Sequence, residues 1–258
     1  MSAAVALHHV ASGPPGAPVL VLGSSLGTTV EMWDPELEAL GRSHRIVRFD
    51  HRGHGASPSP PPPWEIADLG GDVLALLDSL GLARVSYAGV SLGGMVGMWL
   101  AANAPERIER LVIVCSSAHL PPAETWAQRA AAVSAAGSVG AVSSTVLERW
   151  FTPAYAQAQP EVMSWMDAML RACPPAGYAG CCGVIERLDL RPQLALIEAP
   201  TLVIAAAQDP STPPEHSQLI AQAIPGARLE VLAHGAHLAA IERAQEVSAL
   251  IERHLEAA

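Results

Sequence analysis

The chain has 258 residues, half of them hydrophobic, and carries no low-complexity or highly charged segment, which excludes a largely disordered protein. Its formal net charge of -10 repels nucleic acid and anionic membranes, so neither is an expected partner. All fifteen basic residues are arginines, and a chain without lysine cannot use Schiff-base or lysine-nucleophile chemistry.

Residues 1–10 lack the charged start and long apolar run of a secretory signal, and no stretch reaches membrane-spanning length. We therefore expect a cytoplasmic protein. Four cysteines, Cys115, Cys173, Cys181 and Cys182, show no metal-ligand spacing and are expected to stay reduced as packing residues. Composition does not decide whether the chain forms a homo-oligomer.

Short apolar runs alternate with helix-like segments in the first half, which is typical of parallel strands covered by helices on both faces. The pattern predicts strands at residues 19–22, 45–49, 85–89 and 111–115. It predicts helices at residues 33–40, 66–80 and 92–103.

The alternation stops between residues 120 and 196, where the sequence is helical in period, rich in alanine and interrupted by prolines. It then resumes with predicted strands at 201–206 and 228–232 and predicted helices at 214–223 and 241–255. We therefore expect one α/β domain over residues 1–258, with 120–196 inserted as a helical lid.

The run Gly89-Val90-Ser91-Leu92-Gly93 lies between a predicted strand and a predicted helix. A sharp strand-to-helix turn leaves room only for small residues two before and two after the serine, and it projects the hydroxyl at the strand's carboxyl end. The motif alone is weak, because an ordinary turn also uses glycine and serine. Its position between strand and helix favours a nucleophilic serine.

A serine hydroxyl needs a base and a group that orients the base. Asp209 and His237 each follow a predicted strand, in the chain order typical of this kind of site. The carboxyl ends of parallel strands share one edge of a sheet, so both side chains can converge on Ser91. Two alternatives stay open. Asp209 can instead start a turn, and His234 competes with His237, which is favoured because the last helix starts just after it.

The tetrahedral intermediate of such a reaction needs two N–H donors for its oxyanion. Leu92 supplies one candidate at a helix start, and Leu26 supplies the second from the glycine-rich loop 23–27 after the first predicted strand. A plain turn explains the glycines of this loop equally well. The loop lacks a G-x-x-x-x-G-K pattern, so nucleotide binding is not expected.

The segment Asp50-His51-Arg52-Gly53-His54-Gly55 contains residue types that bind metals. No second His or Cys cluster accompanies it, and bracing of the structure is favoured over a metal site. We expect no metal and no organic cofactor.

With these features in place, the chain resembles the 3-oxoadipate enol-lactonases of the α/β-hydrolase superfamily over nearly its whole length. The likeness is carried by residues 24–28 (SSLGT), 50–55 (DHRGHG), 91–95 (SLGGM), 104–107 (APER), 149–152 (RWFT), 189–192 (DLRP) and 199–204 (APTLVI). One departure is Ser24, which stands where many members of the superfamily carry histidine. A backbone oxyanion donor can tolerate that change.

The resemblance implies an α/β-hydrolase fold, with a mostly parallel sheet, helices on both faces and a helical lid. It implies that Ser91 is the nucleophile, His237 the base and Asp209 the acid that orients it. Leu26 and Leu92 are then the oxyanion donors.

The resemblance also implies a substrate, a five-membered enol lactone with an acetate side chain, hydrolysed in a late step of aromatic catabolism, the β-ketoadipate pathway. Substrate contacts are expected from Ser25, Trp126, Arg129 and Trp150. A guanidinium can hold a carboxylate with paired hydrogen bonds, so Arg129 is the first candidate for the acetate group and Arg149 the second. The alternatives are that the two arginines lie on the solvated surface and that the lid tryptophans only pack against the sheet.

Other enzymes could use the same triad of serine, acid and histidine, among them carboxylesterases, acyl-homoserine-type lactonases and cofactor-free perhydrolases. A non-catalytic ligand receptor is the alternative from another class, because such triads can persist in folds that bind without turnover.

Overall fold

The computed structural model describes residues 3–256 and is built around a seven-stranded sheet. Its strands are β1 (His9–Ser12), β2 (Val19–Gly23), β3 (Arg45–Phe49), β4 (Val85–Val90), β5 (Ile108–Val114), β6 (Thr201–Ala206) and β7 (Arg228–Leu232). They lie in the order β1-β3-β2-β4-β5-β6-β7, and every neighbouring pair is parallel except β1 with β3. The predicted α/β fold with a mostly parallel sheet is confirmed.

Eleven α-helices surround this sheet within residues 3–256. They are α1 (Leu37–Leu40), α2 (Ile66–Ser79), α3 (Leu92–Asn103), α4 (Ala123–Ala136), α5 (Ser143–Trp150), α6 (Pro153–Ala158), α7 (Pro160–Ala172), α8 (Pro175–Arg187), α9 (Pro214–Ala223), α10 (Ala239–Glu242) and α11 (Ala244–Glu256). In the described part of the chain, none of them has the length and apolar character that a membrane span requires.

The central strands are largely buried because helices cover both faces of the sheet. Every residue of β4 and β6 is buried, and α3 packs against both β4 and β5. The two edge strands differ, since β1 and β7 each have exposed residues. The sheet centre is therefore a rigid base for residues placed at the strand ends.

Helices α4 to α8 form the lid between β5 and β6, and α4 packs closely on α8. Three of the prolines that interrupt the sequence pattern start helices. Pro153, Pro160 and Pro175 each occupy a first-turn position, where the missing N–H costs nothing because it would have no intrahelical partner. A short 3₁₀ helix, Arg191–Leu196, leads from the lid back to β6.

Three elements differ from the sequence-based expectation. β1 is an antiparallel edge strand that the apolar pattern did not predict. The helix predicted at residues 33–40 is a 3₁₀ helix, Val30–Glu36, followed by the single turn α1. The helix predicted at 241–255 is two helices, because α10 ends at Glu242 and Arg243 leaves helical geometry before α11 begins.

Candidate active site

Ser91 lies at the turn between β4 and α3, in a backbone conformation that few residues adopt. Its φ is 55° and its ψ -114°, and its N–H donates to the Val114 carbonyl over 3.0 Å. A Cβ added to Gly89 would lie 2.3 Å from the Gly93 oxygen, and one added to Gly93 would lie 2.2 Å from the Gly23 oxygen. The turn therefore requires glycine on both sides of the serine, as the sequence pattern predicts.

The Ser91 hydroxyl belongs to a continuous chain of buried hydrogen bonds. His237 Nε2 lies 2.9 Å from Ser91 Oγ, and His237 Nδ1 lies 2.9 Å from Asp209 Oδ2. All three residues are at most 7% exposed. Ser91 follows β4, Asp209 follows β6 and His237 follows β7, so the shared edge of the parallel sheet brings together residues far apart in the sequence.

The Asp209 carboxylate is held by more donors than His237 alone. Its Oδ1 accepts from the N–H groups of Ser211 (2.7 Å) and Thr212 (3.0 Å), and its Oδ2 accepts from the Thr212 hydroxyl (2.7 Å). Burial opposes the charge, but His237 and these hydrogen bonds outweigh burial and lower the pKa of Asp209. An ionised Asp209 keeps a proton on His237 Nδ1 and leaves Nε2 free to accept one. Sequence reasoning missed Thr212, because a threonine in a loop gives no periodic signal.

Of the two histidines near the end of β7, His237 faces Ser91. His234 is exposed and lines a different depression with Gln208 and Arg243. The backbone around His237 is tied to the lid, because the Leu238 N–H donates to the Trp150 carbonyl over 2.9 Å. The structure therefore brings His237, not His234, to the serine.

Two backbone N–H groups are available as oxyanion donors, that of Leu92, which follows Ser91 in the chain, and that of Leu26. Leu92 is the first residue of α3, where N–H groups have no intrahelical acceptor, and the N–H of Leu26 is likewise without an acceptor among residues 3–256. Leu26 lines the same cavity as Ser91. The positive end of α3 also favours negative charge here.

A cavity of about 320 Å³ opens between the sheet edge and the lid. Ser91 and His237 line it together with all four predicted substrate contacts, Ser25, Trp126, Arg129 and Trp150. The lining also includes Leu26, Met95, Thr125, Val146, Arg149, Tyr178, Ile185 and His216. A volume near the lower end of ligand pockets, roughly 300–1,000 Å³, suits a compact substrate.

Arg129 carries the half-buried cation of this cavity. Its guanidinium lies 4.6 Å from the centre of the Trp126 ring and beside the Tyr178 hydroxyl. Arg149 also lines the cavity but is exposed. Neither arginine pairs with a carboxylate in the described part of the chain. Arg129 can therefore offer paired donors to an anionic group in the cavity that Ser91 lines.

Other reactive side chains near the site are unsuited to the chemistry. Cys115 lies beside Asp209, and burial raises the pKa of its thiol well above the usual value, so it stays protonated. All four cysteines are free and buried. Between residues 3 and 256, no group of three or more His, Cys, Asp or Glu side chains is arranged to hold a metal ion.

Comparison with known proteins gives a consistent result. The family model described as alpha/beta hydrolase fold matches residues 18–138 and 148–244. The 3-oxoadipate enol-lactonase 2 of Acinetobacter baylyi is 36% identical over 96% of this chain and 92% of its own length. A protein of Variovorax paradoxus whose name proposes a carbamate hydrolase, RutD, is 31% identical over 92% of this chain and 91% of its own.

Two solved structures are also similar to the chain. A hydrolase from Pseudomonas aeruginosa has a TM-score of 0.94 and 45% identity, covering 98% of this chain and 95% of its own. The enol-lactonase from Burkholderia xenovorans LB400 has a TM-score of 0.96 and 37% identity, covering 98% of this chain and 97% of its own.

The sheet, the serine turn and the family model together define an α/β-hydrolase, and the chain is a carboxylic ester hydrolase. Within that superfamily, the chain belongs to the family of the 3-oxoadipate enol-lactonases. The resemblance stated from the sequence is confirmed.

Proposed function

We propose that the chain opens a carboxylate-bearing enol lactone, of the 3-oxoadipate enol-lactone type, through an acyl-enzyme on Ser91. One observation carries the proposal: the Ser91 hydroxyl, 2.9 Å from His237, faces a small cavity in which Arg129 is without a carboxylate partner among the described residues. The names of two similar proteins, from Acinetobacter baylyi and Burkholderia xenovorans, support the substrate class.

The first half of the reaction forms the acyl-enzyme. His237 Nε2 takes the Ser91 proton as Oγ attacks the lactone carbonyl, and Asp209 stabilises the imidazolium that results. The carbonyl oxygen becomes an oxyanion, which the N–H groups of Leu26 and Leu92 stabilise. The C–O bond of the ring then breaks, and the proton on His237 goes to the enol oxygen.

The second half releases the product. The leaving group stays attached through the carbon chain and turns from enol to ketone, so the ring closes again only with difficulty. His237 then removes a proton from water, which attacks the Ser91 ester and regenerates the hydroxyl. The products are a keto acid and the free enzyme. Apart from the substrate and this water molecule, each step uses only side chains and backbone groups of the chain.

Recognition of the substrate carboxylate falls to Arg129. Contact with the Trp126 ring limits the motion of the guanidinium, and the half-buried position limits competition from water. A hydrogen bond between charged groups contributes about 1.5–3 kcal/mol, which corresponds to roughly 10- to 100-fold in kcat/KM.

The test compares two enol lactones, one with the acetate side chain and one with a methyl group in its place, α-angelica lactone. We expect Arg129→Met to lower kcat/KM for the acetate lactone by about 10- to 100-fold and to leave the methyl lactone nearly unchanged. Arg149→Met is the matched control, because that arginine lines the same cavity but is exposed. Equal losses on both lactones, or no hydrolysis of either by the wild-type protein, would contradict the proposal.

Carbamate hydrolysis is a second candidate, favoured by the name of the Variovorax relative, and simple esters are a third, favoured by a 26% identical solved structure named as an esterase. Both would use the same serine. A panel of carbamate, nitrophenyl acetate and the two lactones ranks them by kcat/KM, and our proposal requires the acetate lactone to rank first. A receptor without turnover would hydrolyse none of the four.

We propose that the chain acts in the cytoplasm. Its proposed partner is a small-molecule lactone, and no role is proposed for nucleic acid or membranes. The acidic net charge supports the last point. Cell fractionation followed by detection of the chain tests the location.

A further inference from the structure

The loop that carries Leu26 rests on the two histidines of the segment 50–55. His51 Nε2 lies 2.9 Å from the Ser24 carbonyl oxygen, and the Gly27 N–H donates to His54 Nε2 over 3.0 Å. Ser24 and Gly27 lie on either side of the Leu26 N–H. Both histidines are at most 1% exposed, so no water replaces either contact.

The chemistry of these contacts fixes where each ring carries its proton. A carbonyl oxygen only accepts, so His51 Nε2 must carry a hydrogen. The Gly27 N–H only donates, so His54 Nε2 must present a lone pair, and its proton must be on Nδ1, which faces the Arg52 carbonyl at 3.2 Å. Burial lowers the pKa of His54, and it lowers that of His51 to about 3, so both rings are neutral. The two rings are therefore opposite tautomers.

We propose that His51 and His54 are positioning residues, which use opposite neutral tautomers to hold the Leu26 N–H at the oxyanion position. The inference rests on the proposed serine-hydrolase function and adds two residues to it. Neither ring lines the cavity, so they act through the loop and not on the substrate.

The Ser24 carbonyl also ties the loop to the turn that carries the nucleophile. It accepts from the Gly93 N–H over 3.0 Å in addition to His51, and Gly93 directly follows Leu92. The separation of the two oxyanion donors, Leu26 and Leu92, is thus set through one carbonyl. A 1 Å displacement of a catalytic group can cost about 100-fold in rate, so a loop held on one side only would lose much of the oxyanion stabilisation.

Two amide variants separate positioning from simple filling of space. His54→Gln places an amide oxygen where Nε2 was, so it can still accept from Gly27. His54→Asn reaches only the position of Nδ1, so it can serve Arg52 but not Gly27. We expect His54→Asn to lower kcat by about 10- to 100-fold with little change in KM, and His54→Gln to retain most of kcat. Equal kcat values for the two folded variants would overturn the proposal.

A second measurement decides the matter without any variant. Nitrogen-15 NMR of histidine-labelled wild-type protein at pH 7 reports which ring nitrogen carries hydrogen. We expect Nδ1–H for His54 and Nε2–H for His51. A protonated His54 Nε2 would overturn the proposal, even if the variants fail to fold. A wild-type chain that shows the expected tautomers but hydrolyses no ester or lactone would refute the proposed function and leave the placement of the loop intact.

Discussion

Thr212→Val removes the hydroxyl that donates a hydrogen bond to the buried Asp209 carboxylate, and it keeps the side-chain volume nearly unchanged. The lost hydrogen bond is 2.7 Å long, joins residues that are 1% and 3% exposed, and has a charged acceptor. Such a bond contributes about 1.5–3 kcal/mol, so we expect the free energy of unfolding at pH 7 to fall by that amount. Thr201→Val is the matched control, because the Thr201 hydroxyl is equally buried but donates to a neutral carbonyl, that of Ala199. We expect Thr201→Val to lower the free energy of unfolding by about 0.5–1.5 kcal/mol.

The pH dependence of this loss tests its electrostatic origin. The pKa of Asp209 is lowered in the folded protein, so its stabilisation is present above the unfolded-state pKa of about 3.9 and disappears as the pH falls through the folded-state pKa. Thr212→Val raises that folded-state pKa. The difference in the free energy of unfolding between Thr212→Val and the wild type should therefore be largest at neutral pH and become smaller below about pH 4. Urea unfolding at pH 7 and pH 3 measures it. A loss no larger than that of Thr201→Val, or one independent of pH, would show that the Thr212 hydroxyl does not stabilise the Asp209 charge.

Two further substitutions probe the parts around the serine. Gly27→Ala should destabilise the chain by about 1–3 kcal/mol in urea unfolding, because φ is +82° and the new Cβ would lie 3.0 Å from the Tyr178 ring; unchanged stability would contradict the packing described. Glu242→Gln should lower the free energy of unfolding by a similar amount, about 1–3 kcal/mol. The Glu242 carboxylate accepts from the N–H and hydroxyl of Thr152 in the lid, and from the N–H of Ala236, which precedes His237. The same substitution should also slow the labelling of Ser91 by a fluorophosphonate. An unchanged labelling rate would show that these hydrogen bonds between the lid and the loop that carries His237 do not support the reactivity of the serine.

Much of the fold follows from the sequence because the buried strands are continuous apolar runs bounded by turn residues. Residues 45–49, 201–206 and 228–232 match the observed strands residue for residue. β1 could not be predicted, because it is four residues long and partly exposed, and its pairing with β3 is antiparallel. The break at Arg243 gave no signal either, since the apolar period continues through it.

The site divides in the same way. Ser91, Asp209 and His237 could be proposed because a motif and the shared strand edge specify them, and the structure brings the three side chains together. Their catalytic roles stay predictions. Thr212 and Glu242 could not be found from the sequence, because a single polar residue outside a motif shows its partners only when the chain is folded.

Covalent labelling is the most direct test of whether Ser91 is a nucleophile activated by His237. Intact-mass and peptide analysis after treatment with a fluorophosphonate should show one adduct, on Ser91, at similar rates in the wild type and His234→Ala, and almost none in His237→Ala. Unlabelled wild-type protein, an adduct on another residue, or labelling of Ser91 that persists without His237 would contradict that assignment.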